Sequence, residues 1–257
     1  MLENYTDYFI TADVHLNKNR PDLTANFFKL LDELSVYEKP CLIINGDFLD
    51  FWFENGKYDL SDEYPMFVEL RNYSEKIDMY LIKGNRDFLA DRRFEKLTNI
   101  KILGDEYILN QGSCRYLITH GDIFCTRDFT YKIWRIFSRS FIVRYLTLLI
   151  PEKKALQIIA WLRSFSSVKK LRKTALNMSI VLDEVKKKCV DNKCDTAICG
   201  HNHVQRNIFL LCNTNGLQKI RFIVLHKMHY WGAYYAHITK NNFTVRTIIR
   251  KKDFKDS

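Results

Sequence analysis

Five apolar runs of strand type each end on Asp, Asn or His, and that repeated ending constrains this chain more than any other feature. Residues 8–12 run into Asp13-Val14-His15, and 42–45 into Gly46-Asp47. Residues 79–83 run into Gly84-Asn85-Arg86-Asp87, 115–119 into His120-Gly121-Asp122, and 196–199 into Gly200-His201-Asn202-His203. In an open α/β sheet, ligands bind at the C-terminal mouths of the strands. One Gly-Asp after a strand is ordinarily a turn, and an isolated His is more often a core side chain than a ligand. Five such endings together predict that the polar side chains converge on a metal site.

Composition sets the size of the scaffold. With 257 residues, of which 47% are hydrophobic and only 9 are Gly and 4 Pro, the chain is expected to form one domain over 1–257 carrying an insertion. Its first seven residues are polar and acidic, unlike a signal peptide, and the apolar stretch 141–150 is broken by Arg144 and too short for a bilayer. The seven cysteines (Cys41, Cys114, Cys125, Cys189, Cys194, Cys199 and Cys212) are odd in number and scattered, as expected of reduced core thiols. Cys189, Cys194 and Cys199 recur at intervals of five, which is not a structural-zinc spacing. The formal charge of +10 is localised: 127–173 hold 12 Lys and Arg against 2 Asp and Glu, so the remainder is neutral overall. A basic stretch interleaved with apolar residues suits an anionic partner, although a solvated helix face would account for the charge alone.

Read in order, the chain gives a strand to residue 12, a helix over 23–37 with Phe27, Leu30, Leu31 and Leu34 at helical spacing, and a strand over 41–45. This β-α-β unit favours parallel pairing. A helix over 64–74, a strand over 79–83 and a short helix over 91–97 follow, then β runs over 100–103, 107–109 and 114–119 that enter a second sheet. From 128 to 188 the pattern is helical, with Phe129, Ile133, Ile136, Phe137, Phe141, Tyr145 and Leu148 along one run and a last helix over 176–185. Strands are expected again at 194–199, 221–225, 234–238 and 244–249. His226, His229 and His237 match no motif and read as structural.

Asp, His and Asn donors without thiolate suit a divalent ion such as manganese, iron or zinc. Six or seven candidate ligands are more than one ion needs, and a carboxylate can bridge two. The ordered set of motifs resembles the calcineurin-like metallophosphoesterase superfamily. Gly46-Asp47-Phe48-Leu49-Asp50-Phe51-Trp52, Gly84-Asn85-Arg86-Asp87-Phe88 and His120-Gly121-Asp122-Ile123-Phe124-Cys125-Thr126 are most similar to the UDP-2,3-diacylglucosamine diphosphatases of lipid A biosynthesis. The Arg following Asn85 is the most telling of these residues, because the wider superfamily commonly has His there.

The resemblance implies an α/β metallophosphoesterase sandwich of two mixed β-sheets flanked by helices, with a helical cap at about 127–188. It implies that Asp13, His15, Asp47 and His203 hold one ion, and that Asp47, Asn85, His120 and His201 hold a second, with manganese the expected metal. Asn85, Arg86 and His120 are the expected catalytic residues, Arg86 clamping phosphate, while Asp50 and Asp122 orient the ligands from behind. Substrate contacts carry over to Asn85, Arg86, His201, Asp128, Ser166 and Lys173, with Lys170 where the family tends to have Asn. The implied reaction is attack of a metal-activated hydroxide on the α-phosphorus of UDP-2,3-diacylglucosamine, releasing UMP and 2,3-diacylglucosamine 1-phosphate. A monomer resting through its basic cap on the anionic cytoplasmic face of the bacterial inner membrane, with no nucleic-acid partner, completes the expectation. Asn202 in place of the family's Thr is a mild departure, since that side chain is not a ligand. Lys170 and the family's Leu-Gly-Asp-Trp run, which appears here as Leu225-His226-Lys227-Met228, are departures that bear on the substrate. The alternative is therefore a paralogous enzyme acting on another nucleotide-linked or lipid phosphate.

Overall fold

The computed structural model describes residues 2, 5–52, 64–126, 129–140, 143, 145, 149–151, 154, 157, 180–213 and 217–249. Two sheets pack face to face. The first runs β11-β10-β1-β2-β3-β4, built from β1 (Asp7–Thr11), β2 (Pro40–Asn45), β3 (Asp78–Ile82), β4 (Lys101–Gly104), β10 (Gly232–Ile238) and β11 (Phe243–Ile249). The second runs β5-β6-β7-β9-β8, from β5 (Glu106–Gln111), β6 (Cys114–Thr119), β7 (Thr196–Cys199), β8 (Arg206–Asn213) and β9 (Leu217–Val224). Strands β1 to β4 pair in parallel and β10 joins β1 antiparallel; β6, β7 and β9 are parallel, with β5 and β8 antiparallel at the two edges. Both sheets are mixed, as the resemblance implied.

Burial on both faces explains the unbroken apolar runs of the central strands. All six residues of β2 are buried. Leu42 and Ile44 face the helices α1 (Pro21–Leu34), α2 (Phe67–Tyr73) and α3 (Arg92–Thr98), whereas Cys41 and Ile43 face the second sheet. Helix α1 starts at Pro21, whose missing N–H costs nothing at that position, and buries Leu23, Phe27, Leu30, Leu31 and Leu34 along one stripe. Asp91 caps α3 by accepting the Arg93 N–H, and Asn99 ends it in the left-handed conformation. Beyond the second sheet, Val185 and Cys189 of α5 (Leu182–Asp191) close a third core with Leu117, Ala197, Phe222 and Val224. The layers are thus helices, sheet, sheet and helix.

Several expectations need correction. Strand β8 and the first half of β9 were not anticipated, because the Ile208-Phe209-Leu210-Leu211 run lacks the alternation that marks a half-buried strand. The helix placed over 176–185 begins instead at Leu182, with Val181 extended. Of the expected cap, α4 (Phe129–Ser138) and α5 are the described elements; most of 127–188, with Asp128, Ser166, Lys170 and Lys173, lies outside the described residues. Among described residues, Ile133, Ile136, Phe137 and Tyr145 are exposed, in keeping with a cap surface rather than a core. Six of the seven cysteines are buried free thiols and Cys114 is exposed; burial holds the Cys199 thiol far above its usual range, which leaves it inert. His237 is structural as expected, stacked on Phe9 and 2.7 Å from Asp7.

Candidate metal centre

All five predicted strand endings meet in one place. Asp13 and His15 follow β1, Asp47 follows β2, Asn85 and Arg86 follow β3, His120 follows β6, and His201 and His203 follow β7. Three loops therefore come from the first sheet and two from the second. Parallel strands deliver their C-terminal ends to a common edge, so the polar endings need no long excursion to converge.

Backbone geometry is committed to this arrangement. Seven described residues other than glycine have positive φ, and five of them are Asp13, His15, Asp47, His201 and His203. For a residue with a Cβ, the left-handed region costs about 1–2 kcal/mol, and strain of this kind collects where a site demands a particular aim. Hydrogen bonds hold the strained loops: the N–H of His15 donates to the Asp47 carbonyl (2.9 Å) and that of Asp13 to the Gly46 carbonyl (3.2 Å). Two glycines are required by close approach. A Cβ at Gly84 would strike the Asp47 main-chain nitrogen and carboxylate, and one at Gly200 would strike the Asp13 carboxylate.

Two groups of donor atoms result. The carboxylate of Asp13 lies with His15 and His203, and the carboxylates of Asp13 and Asp47 lie with His120, the ligating atoms of each group being within 4.8 Å of one another. Asn85 Oδ1 stands 3.1 Å from both His120 Nε2 and His201 Nδ1, which are themselves 3.3 Å apart. Asp47 aims one oxygen toward His120 Nε2 (3.6 Å) and the other toward His15 Nδ1 (4.0 Å), so it stands between the groups. Asp13 also reaches both, which the sequence did not suggest.

The donor chemistry fits divalent cations. Asp13 Oδ2 accepts the His201 N–H at 2.8 Å, but its buried Oδ1 has no hydrogen-bond partner, although His203 Nε2 lies 3.3 Å away. An orphaned buried carboxylate oxygen is costly unless a cation meets it. His120 Nδ1 lies 3.1 Å from the Asn45 carbonyl; donating its proton there leaves Nε2 to face the site as a lone pair.

Charge repulsion adds to the case. Burial pushes the Asp47 carboxyl up to about 7; His120 and Arg86 pull it down, while Asp87 and Asp13 add to the push. Burial pushes Asp13 up as well, yet His203, His120 and His15 outweigh it and hold that carboxyl below the usual range. Burial would lower His120, but Asp47, Asp13 and Asp122 raise it to about 9. His201 falls to about 4 through burial and the neighbouring charge of His120.

The supporting residues include some that the sequence hid. Asp122, expected behind the ligands, is 2.9 Å from Arg135 Nε and 3.4 Å from Arg139 Nη1. Both arginines are also within 3.4 Å of Asp105, and Arg139 Nη2 donates to the Gly84 carbonyl at 2.9 Å, so α4 and the residue that follows it are tied to two ligand loops. Asp50 meets the site through its main-chain carbonyl, which accepts from Arg86 Nη1 at 3.3 Å. Buried Asp87 accepts the N–H groups of Gly84 and Phe48, each at 2.7 Å, and clamps the β3 loop to the β2 loop. Asn45 Nδ2 donates to the carbonyls of Thr119 (2.9 Å) and Ile198 (3.2 Å), stitching one sheet to the other beneath the site. Asn45 and Asp87 sit inside quoted motifs, so a signal existed. Arg135 lies in α4 and Arg139 just past its end, in a stretch whose many cations gave no reason to single them out.

A family model described as calcineurin-like phosphoesterase matches residues 8–205. A UDP-2,3-diacylglucosamine hydrolase of Shewanella pealeana is 31% identical over 194 residues, 75% of this chain and 80% of that protein. One from Histophilus somni (strain 2336) is 32% identical over 197 residues, 77% of this chain and 84% of its own. One from Neisseria meningitidis serogroup A is 30% identical over 198 residues, covering 76% and 81%. Among solved structures, an archaeal phosphodiesterase aligns with a TM-score of 0.45 and 12% identity over 95% of this chain and 99% of that one. This chain belongs to the calcineurin-like phosphoesterase family.

Proposed function

We propose that this protein hydrolyses the pyrophosphate of UDP-2,3-diacylglucosamine, releasing UMP and 2,3-diacylglucosamine 1-phosphate. The observation that carries the reading is the pair of donor groups sharing Asp47 and Asp13, with the Arg86 guanidinium at their side. Relatives of this name at 30–32% identity supply the substrate class. Asp13, His15, Asp47 and His203 would hold one ion and Asp47, Asn85, His120 and His201 the other, with manganese the expected metal. When bound, two such ions activate a water for attack and neutralise phosphoryl oxygens.

The chain's own residues do the rest. Arg86 is fixed at its root, its N–H donating to Asp47 Oδ1 at 3.0 Å, and its Nε lies 3.8 Å from Asp47 Oδ2. That leaves a planar cation beside the donor groups to clamp the substrate phosphate and stabilise charge that grows on it. The exposed Ile133, Ile136 and Phe137 of α4, a helix anchored inward by its Arg135 and by Arg139 just past its end, supply an apolar surface suited to acyl chains. Asp128, Ser166, Lys170 and Lys173 belong to the proposed substrate contacts. A monomer associated with the cytoplasmic face of the inner membrane through its basic cap, with 127–188 as an insertion in a single domain, completes the reading.

The test is UMP release by manganese-loaded protein from UDP-2,3-diacylglucosamine, run beside UDP-glucosamine lacking acyl chains. Turnover of the acylated compound alone is expected. Equal turnover of both, or cleavage of a generic phosphodiester with neither substrate touched, would sink the assignment and favour a paralogous activity. A second reading of that kind has one observation behind it. The altered run at 225–228 packs directly behind the site, Met228 N–H donating to the Asp13 carbonyl at 3.1 Å.

A further inference from the structure

Residues 196–252 contain nine Lys and Arg and not one Asp or Glu. The neutral total outside 127–173 conceals this, because acids elsewhere balance the sum. Most of the acid-free stretch lies beyond residues 8–205, the span that matches the family.

The fold gathers part of this stretch into one surface. In the β8–β9 ribbon, Leu210, Cys212, Ile220 and Phe222 point into the third core. Alternation then places Phe209 and Leu211 on the opposite face, with their register partners Arg221 and Lys219, and Leu217 two residues before Lys219. Phe209 is 55% exposed, Leu211 59% and Leu217 76%. Lys219 Nζ lies 3.9 Å from the Phe209 ring centre, and the Arg221 guanidinium lies 4.4 Å from that of Phe243 in β11. Asp195, the acid next before the stretch, already accepts the Arg115 N–H through its carboxylate.

Large apolar side chains exposed side by side, with cations among them and no acid, mark an interaction surface. Three occupants compete. A second copy would bring Lys219 and Arg221 toward their own symmetry mates, a like-charge contact. Single-stranded nucleic acid would be met by stacking rings, whereas Leu211 and Leu217 have no π face. An anionic lipid surface takes all of it: leucines and Phe209 enter the headgroup boundary while Lys219 and Arg221 meet phosphate. We infer that the exposed face of the β8–β9 ribbon is a contact surface for anionic lipid, separate from the helical insertion. The inference does not depend on which phosphate ester the metal centre cleaves.

The experiment is co-sedimentation of the full chain with vesicles of phosphatidylcholine, with and without phosphatidylglycerol. It compares the wild type with a Leu217→Asp, Lys219→Glu double variant. A far-ultraviolet circular dichroism spectrum and thermal midpoint unchanged in the variant certify the fold. The wild type should sediment with the anionic vesicles, and the variant should partition at least about tenfold less. If the double variant does not fold, Lys219→Gln alone is read in the same assay and should still weaken sedimentation. Variant partitioning equal to wild type would hand all lipid contact to the insertion and overturn the inference. So would absence of wild-type binding, or Lys219-dependent binding of single-stranded RNA without sedimentation.

Discussion

The Asp13, His15 and His203 group and the Asp47, Asn85, His120 and His201 group are built to different standards. His15 and His203 are partly open to solvent, as are Asn85 and His201 of the second group, but the buried Asp13 of the first keeps an oxygen without a hydrogen bond. His120 is fully buried, with one ring nitrogen committed to the Asn45 carbonyl and the other aimed at Asn85. Asp87, Asn45 and Asp122 brace this second group from three sides. The difference teaches where rigidity is placed. The deep group is pre-set by protein hydrogen bonds before any ion arrives, whereas the open group depends on the ion to complete it.

Asp47 is the residue through which the comparison breaks most severely, because it stands between both groups. Asp47→Ala should abolish turnover and lower metal content at both positions, read by elemental analysis of the purified protein. Retention of two ions per chain would show that Asp13 alone joins the groups. Arg86→Ala should keep both ions yet lower kcat about 10²–10³-fold, since it removes one charge-stabilising donor. Metal loss in that variant would mean that Arg86 braces Asp47 rather than substrate.

Asn45→Ala tests the bracing itself. Its amide stitches the β6 and β7 ends to β2, so the variant should weaken the deep group about 10–100-fold in metal affinity. The open group should be affected less, so a two-step metal titration should separate further than in the wild type. Equal weakening of both steps would show that the sheets move as one body and that the open group borrows the same rigidity.

How much of this was legible depends on what each residue's neighbours encode. The convergence of five strand ends could be read from Asp13, His15, Asp47, Asn85, His120, His201 and His203, whereas the two mixed sheets came with the family resemblance that those motifs carry. A metal donor must follow a strand directly, so its position is local information. Strand β8 was missed because Phe209 and Leu211 break the alternation by being apolar on an exposed face. Arg135 and Arg139 were missed because their role is set by Asp105 and Asp122, residues that only the fold brings near. Asp13's reach into both groups was missed for the same reason: spacing orders ligands along the chain but does not say how their oxygens divide in space.

Proton competition supplies the mildest way to tell the groups apart. In metal-free protein, Asp47 titrates at about 7 and His120 at about 9, both raised, so both hold protons that an ion must displace. For His120 the raised value means stability that is full below pH 6.5 and lost as pH rises through about 9. For Asp47 the raised value again favours the folded metal-free protein below about pH 4 and is lost through about 7. Asp13, held below the usual range, acts in the opposite sense, with stability present above about pH 4 and lost as pH falls further. Metal affinity of the deep group should therefore drop by about tenfold for each pH unit below 7 for each proton displaced. Calorimetric titration in two buffers of different ionisation enthalpy reads the protons directly. Proton release should accompany filling of the deep group, and if none is seen at pH 7 then His120 is already neutral and Asp47 already ionised before the ion binds.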